Sequence, residues 1–217
     1  MTENTSNSNP KSEAKLTRGH KKKARTRQQL VDAALRIYAN KGVAELTLNE
    51  LAIEAGVASG TIYNYFRTKE EVLNAVGISL AEALSLQITS LTDGIIDGAE
   101  RFSIGVRTFV LMAEQDPDWA SALLNVFRYA EMVRSTLADN IREDLRRGQD
   151  QGQFKYDDEE VAVNLVVSAV MGVFRSIVER RKHQGQDQVI TKMLLQALGM
   201  NGDDAEVLVG RPVPALG

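Results

Sequence analysis

The sequence has no cysteine, only two histidines, four prolines and a single tryptophan. Without cysteine there can be no disulfide, no thiolate zinc site and no thiol nucleophile. The histidines, His20 and His183, lie far apart in the sequence and belong to no set of metal-ligand spacing, so neither a metal nor a cofactor is expected. His183 follows Arg180, Arg181 and Lys182 and reads as a solvated helix end. No phosphate-binding glycine loop and no nucleophile–base pair stands at a recognisable spacing, which argues against an enzyme. The longest apolar run, from Val161 to Phe174, is broken by Asn164 and Ser168. It is also shorter than the roughly 20 residues that span a bilayer. The first 29 residues are polar and show no secretory pattern. A soluble, cytoplasmic protein is expected.

Net charge is also scarce, at −3, but it is unevenly spread. Residues 1–70 hold 12 Lys and Arg against 7 Asp and Glu, whereas residues 71–217 hold 14 against 22. A basic front end suits a polyanion; an uneven but ordinary solvated surface is the plainer alternative. With 43% hydrophobic residues the chain can bury a substantial core.

The stretch Thr47–Lys69 reads as two short helices around a glycine turn. Thr47 and Glu50 have capping-box spacing, Leu51, Ala52 and Ala55 form an apolar face, and Gly56 supplies the left-handed residue that ends the helix. The second helix carries Thr61, Tyr63, Asn64 and Tyr65, with Phe66 assigned to the core. Helix, glycine turn, helix is the arrangement that lays one helix in a DNA major groove.

The remaining chain predicts an all-α fold of about nine helices, with no convincing strand and no repeat. A disordered arm over residues 1–20 leads to a basic cluster that includes Lys22, Lys23 and Arg25, suited to phosphate or minor-groove contact or else a solubilising tail. The first helix runs from about Thr26 to Lys41, with Gly42 as its cap. Thr68 and Glu71 open a long helix from Lys69 to about Leu91, a rod able to carry a displacement between two domains. Asp97 with Glu100, and Asp157 with Glu160, have capping-box spacing before two later helices. Others are expected over 117–134, from Ser135 to near Gly148, over 161–182 and over 186–198. The domain plan is an arm (1–20), a helix-turn-helix domain (21–68), a helical effector-binding and dimerisation domain (69–200) and a loose tail (201–217).

The stretch A-G-V-A-S-G-T-I-Y-N-Y-F-R-T-K-E-E-V-L resembles the TetR family of bacterial transcriptional regulators, over about residues 25–75. The resemblance implies a homodimer with two reading heads on a palindromic DNA operator, and a C-terminal domain that holds a small effector. It implies phosphate contacts from Thr47, Tyr65 and Lys69, and places Ser59, Gly60, Thr61, Tyr63 and Asn64 on the groove side. Asn64 suits base reading, because its amide can pair bidentately with adenine. Two positions depart from the family pattern. Ala58 stands where a capping serine is usual, unless Ser59 takes over with a shifted start, and Leu48 replaces a polar contact residue.

In the second half, Phe102, Val106, Phe109, Met112, Trp119, Leu123, Phe127, Val170 and Phe174 are candidates to line a pocket for an apolar or aromatic effector, or are simply core. Arg107, Asn125, Arg128, Asn164 and Arg175 are polar candidates, with surface or interface roles as the alternative. Val161, Leu165, Ala169, Gly172, Val189, Met193 and Leu194 are expected at a four-helix dimer interface. The favoured function is an effector-released repressor. The alternative is a DNA-binding organiser or activator of the same fold without an effector.

Overall fold

The computed structural model describes residues 18–179 and 185–214. Among them are ten α-helices and no strand: α1 Arg18–Lys41, α2 Leu48–Glu54, α3 Ser59–Ile62, α4 Lys69–Thr92, α5 Gly98–Gln115, α6 Pro117–Phe127, α7 Glu131–Asp150, α8 Glu159–Val178, α9 Gln186–Ala197 and α10 Gly202–Val209. Most of the arm expected over 1–20, the helix end at 180–182 and His183 lie outside the described residues. The expectation for residues 18–20 is overturned, since α1 begins at Arg18 and carries Lys22, Lys23 and Arg25 as helical residues.

Local signals set most of the boundaries. Thr47, Thr68 and Asp97 each accept, through a side-chain oxygen, the backbone N–H three residues on, at 3.1, 3.2 and 2.8 Å. These bonds satisfy one of the orphan donors at each helix start. The reciprocal arms of the boxes are diverted: Glu50 pairs with Lys41, and the Glu71 carboxylate accepts from Arg67 N–H at 2.7 Å. Before α8 the cap is Asp158, not the expected Asp157; its carboxylate accepts from Val161 N–H at 2.9 Å. Gly42 and Gly56 have φ of 81° and 67°, the left-handed geometry a C-terminal cap needs.

Two expectations about the chain path are corrected. The break after α6 falls at residues 128–130, so α7 starts at Glu131 rather than Ser135. Ala130 is extended and buried there because α4 approaches closely. A Cβ placed on Gly77 would lie 3.0 Å from that of Ala130, so glycine makes the contact possible. The second correction is α10, which replaces the loose tail expected from 201. Asn201 caps it by accepting from Asp204 N–H at 2.9 Å, and Ala205, Leu208 and Val209 form its buried face.

One continuous apolar core runs from Leu30 in α1 to Val209 in α10. Helix α5 is its centre, packing against α4 and α6 through α10. Helix α4, with 24 residues, extends about 36 Å at 1.5 Å per residue. It touches α1 at one end and α5, α6 and α7 along its length. Helices α4 and α8 are long and apolar enough by composition to cross a membrane. Both are core helices in this fold, burying Val72, Val76, Leu80 and Leu84 in α4 and Val163, Val166, Val170 and Phe174 in α8.

Candidate DNA-reading head and ligand cleft

The reading head is a three-helix unit in which α1 packs on α2, and α2 on α3. The turn is closed by Gly56 N–H to the Ile53 carbonyl at 3.0 Å and Val57 N–H to the Ala52 carbonyl at 2.9 Å. Helix α3 is shorter than expected, a single α-turn from Ser59 to Ile62. It continues as tighter turns, with Asn64 N–H bonded to the Thr61 carbonyl at 3.1 Å and Tyr65 N–H to that of Ile62 at 2.8 Å. Ala58 occupies the cap position without a side-chain bond, so Ser59 does not take the cap over.

Ile62 and Phe66 anchor the segment from beneath, at 0% and 2% exposure. Phe66 is therefore core, and the Arg27 guanidinium sits 5.7 Å from its ring centroid. Ser59, Gly60, Tyr63 and Asn64 are exposed, while Thr61 and Tyr65 are half-buried. Thr47, the N-cap of α2, and Lys69, the first residue of α4, are exposed, and Lys22, Lys23 and Arg25 are exposed on α1. Leu48 is half-buried against the core, which explains an apolar residue at that position.

Behind the head, α6 holds the end of α1. The Ser121 hydroxyl donates to the Ala39 carbonyl at 2.7 Å, and the Asn125 amide donates to the Tyr38 carbonyl at 2.8 Å. Both carbonyls belong to the last turn of α1, where a helix lacks its own donors. This attachment was not foreseen from the sequence, where Asn125 was a ligand candidate. Tyr38 itself is buried, and desolvation, with a smaller contribution from Glu70, pushes its hydroxyl up to about 12.

A narrow cleft with a cavity volume of about 50 Å³ lies between α4, α5, α7 and α8. Of the expected pocket residues, Phe102, Val106, Phe109 and Val170 line it. Met112 lines a smaller hollow beside it, sharing Ile88, Gly105 and Phe109 with the cleft. Trp119 and Phe174 stand behind the lining: Phe109 stacks on Phe174 at 4.9 Å and meets Trp119 edge-on at 5.6 Å. Leu123 is fully buried in the core and Phe127 is half-buried against it, so neither lines the cleft. Sequence reasoning missed Ile88, Leu137, Asn140, Ile141, Asp144, Val166, Val167 and Met171. Asp144 is the charged member. It is buried and paired with Arg101 at 2.7 Å, and desolvation raises its carboxyl even beside that guanidinium. Arg107 pairs instead with Asp187, at 3.0 Å, while Arg128, Asn164 and Arg175 are exposed.

The outer faces of α8 and α9 form a third feature. Val161, Leu165, Val189 and Met193 are 66, 45, 58 and 61% exposed, too much apolar side chain for an ordinary solvated face. Ala169 and Gly172 line a groove between these helices together with Val189 and Met193. Leu194 is the exception to the expected interface. At 3% exposure it points into the chain's own core and offers no surface to a partner. Among the described residues no acidic and histidine cluster could hold a metal ion.

Residues 30–76 match the family model described as bacterial regulatory proteins of the tetR family, and residues 97–211 match the tetracyclin repressor-like C-terminal domain. The HTH-type transcriptional regulator SrpR of Pseudomonas putida is 30% identical over 172 residues, covering 74% of this chain and 75% of SrpR. The structure of RolR in complex with resorcinol superimposes with a TM-score of 0.69 at 24% identity, covering 91% of this chain and 99% of that one. That of SmeT, the repressor of the multidrug efflux pump SmeDEF of Stenotrophomonas maltophilia, gives 0.70 at 23% identity, covering 87% and 97%. SrpR is a transcriptional regulator and SmeT a repressor, and the family acts on DNA operators as dimers. The chain belongs to the TetR family of bacterial regulatory proteins and is a DNA-binding transcriptional regulator.

Proposed function

We propose that this chain binds a palindromic operator as a homodimer and is released from it by a small, largely apolar effector held in the cleft. The observation that carries the reading is the course of α4. Its first residue, Lys69, adjoins the reading head, and its Ile88 lines the cleft. A molecule that spreads the cleft therefore pushes on a rod rooted beside the DNA contacts. Two dimer geometries then differ in the separation of the heads, and effector favours the one that does not fit DNA.

In this reading Thr47, Tyr65 and Lys69, with Lys22, Lys23 and Arg25 on α1, hold phosphates and fix position. Ser59, Gly60, Thr61, Tyr63 and Asn64 face the groove, and Asn64 reads a base edge. Phe102, Val106, Phe109 and Val170 form the apolar wall of the effector site, and Met112 lines its annex. Val161, Leu165, Ala169, Gly172, Val189 and Met193 meet their symmetry mates across the dimer axis. The protein is a soluble cytoplasmic regulator, not an enzyme, with residues 21–68 as the DNA-binding unit and the helices from 69 onward as sensor and dimerisation unit.

Selection of bound duplexes from random DNA, with sedimentation of the free protein, tests this directly. The expected result is an inverted repeat bound by a dimer, and release of that DNA by members of an apolar small-molecule library. A monomer at micromolar concentration, or a single unrepeated half-site, would overturn the dimer. A defined operator from which no compound releases the protein would favour an organiser without an effector.

A further inference from the structure

The cleft is hydrocarbon over nearly all of its surface, and its two polar side chains come from one helix. Asn140 and Asp144 both line it, four residues apart on α7 and so on the same side of that helix. Asp144 is 5% exposed; its Oδ1 accepts from Arg101 Nε at 2.7 Å, and Arg101 Nη1 donates onward to the Thr92 carbonyl at 2.9 Å. Among the described residues Asp144 has no second hydrogen-bond donor, which leaves Oδ2 unmatched. The Asn140 amide nitrogen spends one of its two hydrogens on the Thr136 carbonyl at 2.9 Å, and its side-chain oxygen accepts no hydrogen bond among the described residues. The polar part of the lining thus includes two acceptor oxygens, Asp144 Oδ2 and Asn140 Oδ1.

We infer that this polar part of the lining recognises a neutral hydroxyl, so that the effector is a phenol or alcohol on an apolar body, donating to Asp144 Oδ2 or to the Asn140 side-chain oxygen. The inference rests on the cleft being the effector site and adds the chemistry of the head group. Charge decides between the alternatives. A carboxylate would stand against Asp144 where the nearest guanidinium is already committed, and like charges in a poorly solvated site repel strongly. An ammonium would meet Arg101, which lies on the same carboxylate and neutralises it. A hydroxyl brings a donor without a charge. It meets a charged acceptor, and hydrogen bonds to charged groups are among the stronger ones.

Four probes sharing one body test the head group on the full chain: 4-propylphenol, propylbenzene, 4-propylbenzoate and 4-propylbenzylamine. Affinity is read by calorimetry and by emission of Trp119, the single tryptophan, whose ring lies 5.6 Å from that of Phe109 in the cleft wall. The phenol is expected to bind tighter than each of the others by about tenfold, as for a hydrogen bond to a charged group. Asp144→Asn leaves the Arg101 charge uncompensated, and the benzoate then overtakes the phenol. Because that variant strands a buried charge, the pair Arg101→Met with Asp144→Leu serves as the second; it replaces both partners by apolar groups and lowers the phenol to the level of propylbenzene. Benzoate or amine binding best to the natural protein, all four binding alike, or the phenol preference surviving in the double variant would overturn the head-group assignment and leave the cleft as effector site. If none of the four binds and Trp119 emission stays unmoved, the cleft reading falls, and the inference with it.

Discussion

Helix α6 closes the end of α1 with two side chains, and removing both measures how firmly the reading head is fixed to the body. In the double variant Ser121→Ala, Asn125→Ala the carbonyls of Ala39 and Tyr38 lose donors at 2.7 and 2.8 Å. Each such bond contributes a net ~1 kcal/mol, within a range of about 0.5–1.5. Tyr38 keeps a second donor, the Gly42 N–H at 3.1 Å, so its loss belongs at the low end. Together the two changes should weaken the attachment by about 1–2 kcal/mol, which is roughly a 5–30-fold rise in local opening. Native-state hydrogen exchange reads this residue by residue. Amides in the last two turns of α1 and in α2 should exchange faster by that factor, while those of α8, on the far side of α6, keep their rates. Operator affinity should fall in parallel, because a loosely held head must be ordered again on DNA. Uniform acceleration over the whole chain would refute the reasoning, since it would mean that the bonds stabilise the fold rather than the joint. Unchanged exchange in α1 would refute it equally.

Three further outcomes are expected. Tyr38 ionises near 10 in an unfolded chain and at about 12 here, so the folded form keeps its proton longer and stability falls as pH rises from 10 towards 12; alkaline unfolding should show a loss of about 2–3 kcal/mol that Tyr38→Phe removes. Asn64→Ala should relax sequence preference with a modest loss on the operator, whereas Lys69→Ala weakens operator and scrambled DNA alike and lowers the salt slope by about 1, as binding at several salt concentrations would show; equal losses on both DNAs for both variants would contradict the division of roles. Leu165→Glu with Met193→Glu, both exposed in the single chain, should leave the fold intact by circular dichroism and yield a monomer in sedimentation, with operator binding lost.

The reading head was legible because its determinants are local. A hydroxyl three residues ahead of its amide, a left-handed glycine, and apolar residues at Leu51, Ile62 and Phe66 each act within one or two turns. The cleft was only half legible. Phe102, Val106 and Phe109 fall on one side of α5 by helical spacing, but spacing does not say whether a side chain meets a cavity or another side chain. Phe109 does both, and Leu123 only the second. Asn140 and Asp144 were missed because α7 reads as a polar helix. What brings Asp144 inside is Arg101, 43 residues away, and pairings at that range leave no trace in periodicity. Leu194 failed for the complementary reason. It adjoins Met193 in sequence, yet the two project to different sides of α9, one inward and one outward. Helix α10 did carry a signal, an asparagine cap before an apolar triplet, but its eight residues are too few to stand out from a polar terminus.

The C-terminal clasp has a consequence for the opposite end of the molecule. Arg107, buried in α5, donates to Asp187 at the start of α9 and to the Arg211 carbonyl at 2.5 Å, and the Arg211 side chain returns to Glu100 at 3.0 Å. The helix that carries Val189 and Met193 is thereby tied to α5, and Arg107 is tied in turn to the segment after α10. In the proposed dimer the angle between protomers, and with it the number of base pairs between half-sites, then depends on the buried Arg107–Asp187 pair. Substitution of that pair would retune which operators are read without altering any residue assigned to DNA contact.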